Sequence, residues 1–262
     1  MHICALPARA ASRSLPRMDT PTILFAIAGA FLLAGFVKGV IGLGLPTVAI
    51  GLLGLLMSPT QAAAILVLPA LVTNVWQAAV GGHLRPLVRR IWPMLVGLCI
   101  GTALGAALLP NGSAATLWLG LALLAYSLLG LVRIEFKVAP AAERWFNFPV
   151  GVFTGAITAA TGIYVLPGTP YLNALQFDRD RLVQVLGISF TVSTVALGVA
   201  LAQAGEMRAD LLVPSLVALF ASLVGMWLGQ IVRGLVRAET FRLFFFLGLL
   251  ALGGHLAWRG FH

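Results

Sequence analysis

The residues most able to do chemistry stand together in one short apolar segment, which reads FVKGVIGLGLP. Lys38 is the only charged residue in it, and Gly39, Gly42, Gly44 and Pro46 follow. A charged side chain at bilayer depth costs about 2.5–3.5 kcal/mol on insertion scales, so it usually faces protein or a water-filled cavity. Glycine and proline interrupt helices, and irregular backbone inside a membrane must be buried or line such a cavity. A lysine beside a broken helix could therefore bind an anion.

Two structural explanations compete with anion binding in this segment. Lys38 could snorkel to a nearby membrane interface, because it lies about 16 residues into its apolar run. The glycines could instead allow close helix packing. Two later segments, GTALG (101–105) and GMWLG (225–229), are interpreted as packing motifs of this kind.

A second segment, GAITAATGIYVLPGTP, repeats the break about 120 residues later. Thr158 takes the position of Lys38, and Thr161, Gly162 and Pro167 follow it. A hydroxyl can donate a hydrogen bond to an anion without adding a charge. The alternative for each threonine is a hydrogen bond to its own helix backbone.

Polar side chains also recur in the apolar runs that follow the two breaks. Asn74 in the first half of the chain aligns with Thr194 in the second. Polar groups at matching depth suit a central cavity, and hydrogen bonding between helices is the alternative. We therefore expect both residues near the site.

The elements that must position these residues are membrane helices. The chain has 262 residues, of which 60% are hydrophobic and 10% charged, whereas soluble domains carry about 25% charged residues. Runs of about 18 apolar residues recur along the chain, and each is long enough to cross a bilayer as a helix. The predicted class is an all-α integral membrane protein with about 7–8 membrane segments. The net charge of +9 falls mostly in short gaps between runs, as topology signals do, which argues against nucleic-acid binding.

The chain is predicted to contain two repeats within a single membrane domain. Ordered matches place the first repeat at 22–134 and the second at 148–258, after a polar leader, 1–21, of which residues 1–17 need not be native. Basic residues put equivalent loops on opposite faces, which is typical of the inverted repeats of secondary transporters. Residues 148–177 must leave and return to one face within about 30 residues, so each half should begin with a broken or re-entrant helix.

Catalytic and metal-binding patterns are not found in the sequence. The four histidines are scattered, and the eight acidic residues fall in the leader, loops or span ends. No carboxylate pair, nucleophile set or phosphate loop presents itself. We expect no enzyme activity, no metal site and no cofactor.

The two glycine-rich segments together resemble the sulfite exporter TauE/SafE family of bacterial membrane transporter proteins. The likeness covers about residues 22–258. It implies seven or eight membrane segments in a duplicated arrangement and the outward movement of sulfur-containing anions. Many members carry a denser GGG run where this chain has GLGLP and TGIYVLP, so the chain resembles a lysine-containing side branch. The positions equivalent to the family motifs are Lys38, Gly39, Gly42, Gly44, Pro46, Gly155, Gly162, Pro167 and Pro170.

The sequence thus predicts a secondary transporter of the bacterial inner membrane that exports a small anion, such as a sulfur oxyanion or an organosulfonate. An anion channel is the first alternative, and a membrane enzyme or assembly factor is a weaker one. The expected partners are the small anion and the lipid bilayer, a homodimer is compatible with the sequence, and no nucleic acid is expected. The predicted substrate-binding residues are Lys38, Gly39, Gly42, Gly44, Pro46, Asn74, Thr158, Thr161, Gly162, Pro167 and Thr194.

Overall fold

The fold is all-helical in the part of the chain that the structure, a computed structural model, describes: residues 20–108, 113–132, 137–164, 166–235 and 238–261. No strand occurs in these ranges. The leader at 1–19 and the loops at 109–112 and 133–136, to which sequence predictions were attached, lie outside the described residues.

The described ranges contain ten α-helices, eight of them long and two short. They are α1 (Thr20–Ile41), α2 (Leu45–Leu53), α3 (Pro59–Ala79), α4 (Leu84–Leu108), α5 (Ser113–Val132), α6 (Pro140–Thr161), α7 (Gly168–Ala174), α8 (Arg179–Gln203), α9 (Leu212–Val232) and α10 (Ala238–Phe261). A short 3₁₀ turn at Ala209–Leu211 leads into α9.

Seven of the long helices are apolar enough to cross a membrane: α1, α3, α4, α5, α8, α9 and α10. The predicted all-α membrane class is therefore confirmed. The eighth long helix, α6, is as long as α1 but begins with polar residues, including Glu143, Arg144 and Asn147. Its first turns are thus less apolar than those of the other seven.

Two polar residues at the start of α6, Glu143 and Asn147, are buried beside specific partners. Arg90 of α4 forms a forked ion pair with Glu143, with Nε–Oε1 and Nη2–Oε2 distances of 2.9 Å. The Tyr171 hydroxyl of α7 donates to Asn147 Oδ1 at 2.8 Å. These contacts satisfy polar groups that would otherwise be costly to bury.

Each half begins with a long helix, a break and a short helix. The first break lies between α1 and α2, where Gly42 and Gly44 have φ values of 82° and 102°. The second follows α6, where Gly162 has a φ of 73°. Only glycine adopts such left-handed conformations at little cost. The predicted broken helices are therefore found, at the predicted positions.

The helix before each break is longer than the half-helix considered from the sequence. Both α1 and α6 have 22 residues, about 33 Å of helix, which is enough to cross a bilayer. Apolar content placed the start of the second half at 148, whereas α6 begins at Pro140. The difference arises because the Glu143 and Asn147 side chains are paired inside the protein.

The closest helix contacts join the first half of the chain to the second. Helix α1 packs on α9, and α6 packs on α4. In the first pair, a Cβ added at Gly35 would overlap the Ser222 backbone, and one at Gly229 would overlap that of Phe36. In the second, a Cβ at Gly101 would overlap the Val152 backbone. The packing role predicted for GTALG and GMWLG is therefore confirmed.

The directions of the helices follow from the same contacts. Sequence-equivalent helices α3 and α8 run antiparallel, because Gly187 approaches Gln77 whereas Gly198 approaches Val67. Helices α5 and α10 are likewise antiparallel, while the α1–α9 and α4–α6 pairs are parallel. This pattern is consistent with two halves of opposite orientation, as an inverted repeat requires.

Candidate functional site

Lys38 lies in the last turn of α1, just before the first break, and only 4% of its surface is exposed. Its ammonium donates to Thr73 Oγ1 of α3 at 3.1 Å and to Asn74 Oδ1 of the same helix. The Thr73 hydroxyl donates in turn to the Pro69 carbonyl at 2.8 Å. Lys38 therefore points into the protein and does not snorkel to an interface.

The Lys38 ammonium has no acidic partner among the described residues. The ion pairs found there are Arg90–Glu143, Arg181–Asp178 and Arg208–Asp210. Buried charges are normally paired, because a lone buried charge loses its hydration without gaining protein interactions of equal strength. Two neutral acceptors compensate only part of that loss. An anion in contact with the ammonium would supply the missing charge.

Asn74 connects this lysine to the second half of the chain. Its Nδ2 lies 3.4 Å from Thr194 Oγ1 of α8, a long hydrogen bond, and the Thr194 hydroxyl donates to the Phe190 carbonyl at 2.7 Å. Asn74 and Thr194, which align in the sequence, are thus in direct contact, and this hydrogen bond between helices is the alternative considered for them. The contacts from Lys38 to Thr194 join α1, α3 and α8.

A second amide side chain ties the first break to α8. Gln77 Nε2 contacts the Gly42 carbonyl at 3.3 Å and the Val183 carbonyl at 2.9 Å. Gln184 of α8 returns a hydrogen bond to the Ala78 carbonyl at 2.8 Å. The Gly42 carbonyl, which the break frees from helix hydrogen bonding, is therefore satisfied by a protein side chain. Backbone groups inside a membrane need such partners, because no water is available there.

A small cavity of about 20 Å³ lies between the halves beside these contacts. That volume accommodates about one water molecule, so the cavity is narrow at this depth. Both halves contribute to its lining: Pro46, Ala63, Leu66, Val67, Ala70 and Asn74 from the first, and Thr158, Gly162, Tyr164, Phe190, Ser193, Thr194 and Leu197 from the second.

Of the two predicted threonines, Thr158 lines the cavity and Thr161 does not, and both donate hydrogen bonds to their own helix. Thr158 Oγ1 donates to the Thr154 carbonyl at 2.8 Å, and Thr161 Oγ1 to the Ile157 carbonyl at 2.7 Å. The backbone alternative considered for these residues is therefore the arrangement in this structure. Thr161 also accepts from the Ile163 amide at 3.2 Å and so stabilises the second break.

The remaining predicted residues fall outside the cavity lining. Gly44 precedes α2 as its N-cap, and Pro167 occupies the same place before α7. Gly42 takes part through its carbonyl, as described above. Gly39 packs against α9, since a Cβ there would overlap the Met226 carbonyl, and Gly155 packs in the same way against Leu98. These two glycines hold helices together.

Tyr164 is a residue that the sequence reasoning missed. It lies in the second break, is 4% exposed, and lines the cavity with its ring edge-on to Phe190 at 4.9 Å between centroids. Its hydroxyl forms no hydrogen bond of good geometry in the described chain, and neither does that of the buried Ser189, which lies beside it as a candidate partner. Unpartnered buried hydroxyls are unusual and are available to a ligand. Tyrosine within a glycine-flanked break was the signal that could have identified it.

No metal site is formed in the described ranges, where no group of three or more His, Cys, Asp or Glu side chains could hold an ion. The chemistry that the site offers is therefore that of an ammonium, amides and hydroxyls. Such groups bind and orient a polar or anionic molecule by charge and hydrogen bonding.

Comparison with known proteins gives one match. The family model described as sulfite exporter TauE/SafE matches residues 27–256, nearly the whole chain. No curated protein and no solved structure matches the chain. The matched region includes both breaks, Lys38 and every helix from α2 to α9 in full. The chain therefore belongs to the sulfite exporter TauE/SafE family, a family of membrane transporters.

Proposed function

We propose that this protein is a secondary transporter of the bacterial inner membrane that exports a small anion. The observation that carries the proposal is the buried Lys38 ammonium, which contacts Thr73 and Asn74 but no carboxylate in the described chain. A bound anion would neutralise that charge inside the membrane, where the interaction is stronger than in water.

The sulfur oxyanions and organosulfonates are the proposed substrate class. The family name refers to sulfite export, and the site fits the oxygen-rich, negatively charged end that these compounds share. Lys38 would contact the charged oxygens. Asn74 Nδ2 and the Tyr164 hydroxyl are donors at the neighbouring cavity.

The small volume of the cavity between the halves supports a transporter over a channel. A channel needs a continuous passage, whereas about 20 Å³ at this depth leaves room for only about one water molecule. A transporter closes around its site and opens to one face at a time. Saturable flux would agree with this proposal, and flux that rises linearly with concentration would contradict it.

The test is anion flux in liposomes that contain the purified protein. Sulfite, thiosulfate, short organosulfonates and short carboxylates would be compared on the wild type and on Lys38→Ala. We expect sulfur anions to be transported by the wild type and flux to fall at least about a hundredfold in the variant, which corresponds to about 3 kcal/mol for a buried charge-assisted contact.

Two controls keep this test specific. Gly248→Ala adds a methyl group where nothing lies within 4 Å, so it should insert and transport as the wild type does. Lys38→Arg keeps the charge and should retain part of the flux. Normal flux in Lys38→Ala, at equal membrane insertion, would remove Lys38 from the mechanism.

A further inference from the structure

A second and much larger cavity opens beside the first break. Its volume is about 570 Å³, within the range of about 300–1,000 Å³ that small-molecule sites occupy. It lies between the C-terminal part of α5, the short helix α7 and the first turns of α10. Ile41 and Leu43, on either side of Gly42, form its inner boundary.

The polar lining of this cavity is cationic. Lys137 and Arg242 contribute positive charges, and Thr169, Asn173 and Gln176 are neutral polar groups. No acidic residue belongs to the lining among the residues that the structure describes. A concave surface that carries one sign of charge concentrates ions of the opposite sign.

The two cations are held at the cavity by backbone contacts. Arg242 Nη2 donates to the Gly130 carbonyl at 2.8 Å, which anchors the guanidinium at the end of α5. The residue after Lys137, Val138, donates its amide to the Ala174 carbonyl at 3.1 Å. Lys137 is thereby placed next to α7 and its exposed Asn173.

Lys38 lies close to this cavity along α1. The Gly42 amide donates to the Lys38 carbonyl at 2.8 Å, so the lysine lies one helical turn before the lining residues Ile41 and Leu43. Gln77 holds the Gly42 carbonyl from the other side. The first break therefore lies between the large cavity and the buried ammonium. Its two glycines with positive φ, Gly42 and Gly44, are the positions at which the backbone between them can most easily change conformation.

The region beside the second break is closed and apolar by comparison. The cavity found there has a volume of about 10 Å³ and includes Thr47, Leu123 and Ile163 in its lining. Helix α2, which corresponds to α7, has no charged or amide side chain, and its Leu53 is fully buried. The structure is thus open beside one break and packed beside the other.

The open side is the one that carries the basic loops. Lys137 precedes α6, and Arg233 and Arg242 flank the turn between α9 and α10. Such residues mark the cytoplasmic face. An exporter collects its substrate from that face.

From these observations we infer that the 570 Å³ cavity is a cytoplasmic anion-binding entrance, in which Lys137 and Arg242 bind the substrate before it reaches Lys38. This inference rests on the proposed function for the identity of the anion. The ligand class is a small oxyanion or organosulfonate, whose oxygens accept from the ammonium and the guanidinium.

The first experiment measures the charge of the entrance without requiring transport. Asn173→Cys is made in a background with Cys4→Ser and Cys99→Ser, in the full-length protein in membrane vesicles. The introduced thiol is treated with two methanethiosulfonate reagents, the anionic sulfonatoethyl and the cationic trimethylammonioethyl form. In water, one unit charge acting over a distance of about 7 Å changes each rate by about threefold, in opposite directions for the two reagents, and a charge in the same cavity lining should have an effect of this order.

We expect Lys137→Gln to lower the ratio of the anionic to the cationic rate by roughly tenfold. Arg233→Gln, which removes an exposed positive charge at the same face but outside the cavity lining, should leave the ratio unchanged. Lys137→Arg should also leave it unchanged. The thiol should react in inside-out vesicles, and reaction from the outer face alone would overturn the assignment.

The second experiment measures transport from the cytoplasmic face. Lys137→Gln should raise the KM for sulfite or an organosulfonate by about threefold with little change in maximal rate. If Lys38→Ala abolishes flux while Lys137→Gln changes neither the KM nor the labelling ratio, the proposed function stands and the entrance is refuted. If the ratio shifts but no anion is transported, the anion-attracting cavity stands and the proposed export function fails.

Discussion

Changing Asn74 to aspartate gives Lys38 a permanent counterion and should block anion binding. The amide oxygen of Asn74 already accepts from the Lys38 ammonium, and aspartate has nearly the same shape. Asn74→Asp would therefore place a carboxylate where a neutral acceptor now lies. The net charge of the site would fall by one unit without a large change in packing.

The size of the effect follows from the geometry of the ammonium. An anion that contacts Nζ at about 2.8 Å, at a tetrahedral angle from the new carboxylate, would lie about 4.6 Å from it. Two unit charges at that separation repel by about 3.6 kcal/mol at an effective dielectric constant of about 20. The apparent affinity for a monovalent anion should therefore fall by roughly four-hundredfold.

The same substitution should make the protein without substrate more stable. A hydrogen bond to a charged partner contributes about 1–2 kcal/mol more than one between an ammonium and a neutral amide. Asn74→Asp should thus unfold at a higher temperature than the wild type, while Lys38→Ala should not. A damaged fold would lower both the unfolding temperature and transport. A higher unfolding temperature together with weaker transport would therefore show that the change of charge, and not damage to the fold, causes the loss.

Flux in liposomes and thermal unfolding in detergent would be measured on the same preparations. Asn147→Asp is the control, because Asn147 is also buried, at 3% exposure, but its partners are Tyr171 and the Arg90 carbonyl. It should leave the KM for the anion unchanged. Transport by Asn74→Asp with the KM of the wild type would refute an electrostatic role for Lys38.

Two further predictions concern the helix contacts and the missed tyrosine. Gly101→Ala should destabilise the fold by about 1–3 kcal/mol, because its methyl group would overlap the Val152 backbone; Gly248→Ala, with open space around it, should be neutral or slightly stabilising in the same unfolding assay. Tyr164→Phe should lower affinity for the anion by about tenfold without loss of stability, since it removes a hydroxyl that forms no hydrogen bond of good geometry in the described protein. Tyr171→Phe is the matched control, because it removes a hydroxyl that donates at 2.8 Å and should reduce stability by about 1 kcal/mol while leaving affinity intact.

The membrane class and the two breaks could be predicted because they depend on local composition. Long apolar runs have one stable form in lipid, and clustered glycine and proline interrupt it wherever they occur. The extent of α6 could not be predicted in this way. In its first turns Glu143 and Asn147 are buried, because Arg90 and Tyr171, from other helices, satisfy their polar groups.

The candidate site stays a prediction, although the burial of Lys38 could be expected from the sequence. A lysine in an apolar run is costly enough to indicate a buried polar environment, whereas its contacts with Thr73 and Asn74 depend on how α1 and α3 pack. The sequence could not show which glycines pack helices together and which form the break. In the structure Gly39 packs on α9, whereas Gly42 forms part of the break. Tyr164 was overlooked because an aromatic residue in an apolar segment is usually core.

The contacts between α1 and α9 and between α4 and α6 have a consequence for how this protein can move. Residues 22–134 and 148–258 cannot separate as two solid bodies, because α1 of one repeat is packed backbone to backbone on α9 of the other, and α6 on α4. The units able to shift intact are therefore these two helix pairs, each of which joins the first part of the chain to the second. The glycine contacts, and not the order of the helices along the chain, determine which helices move together.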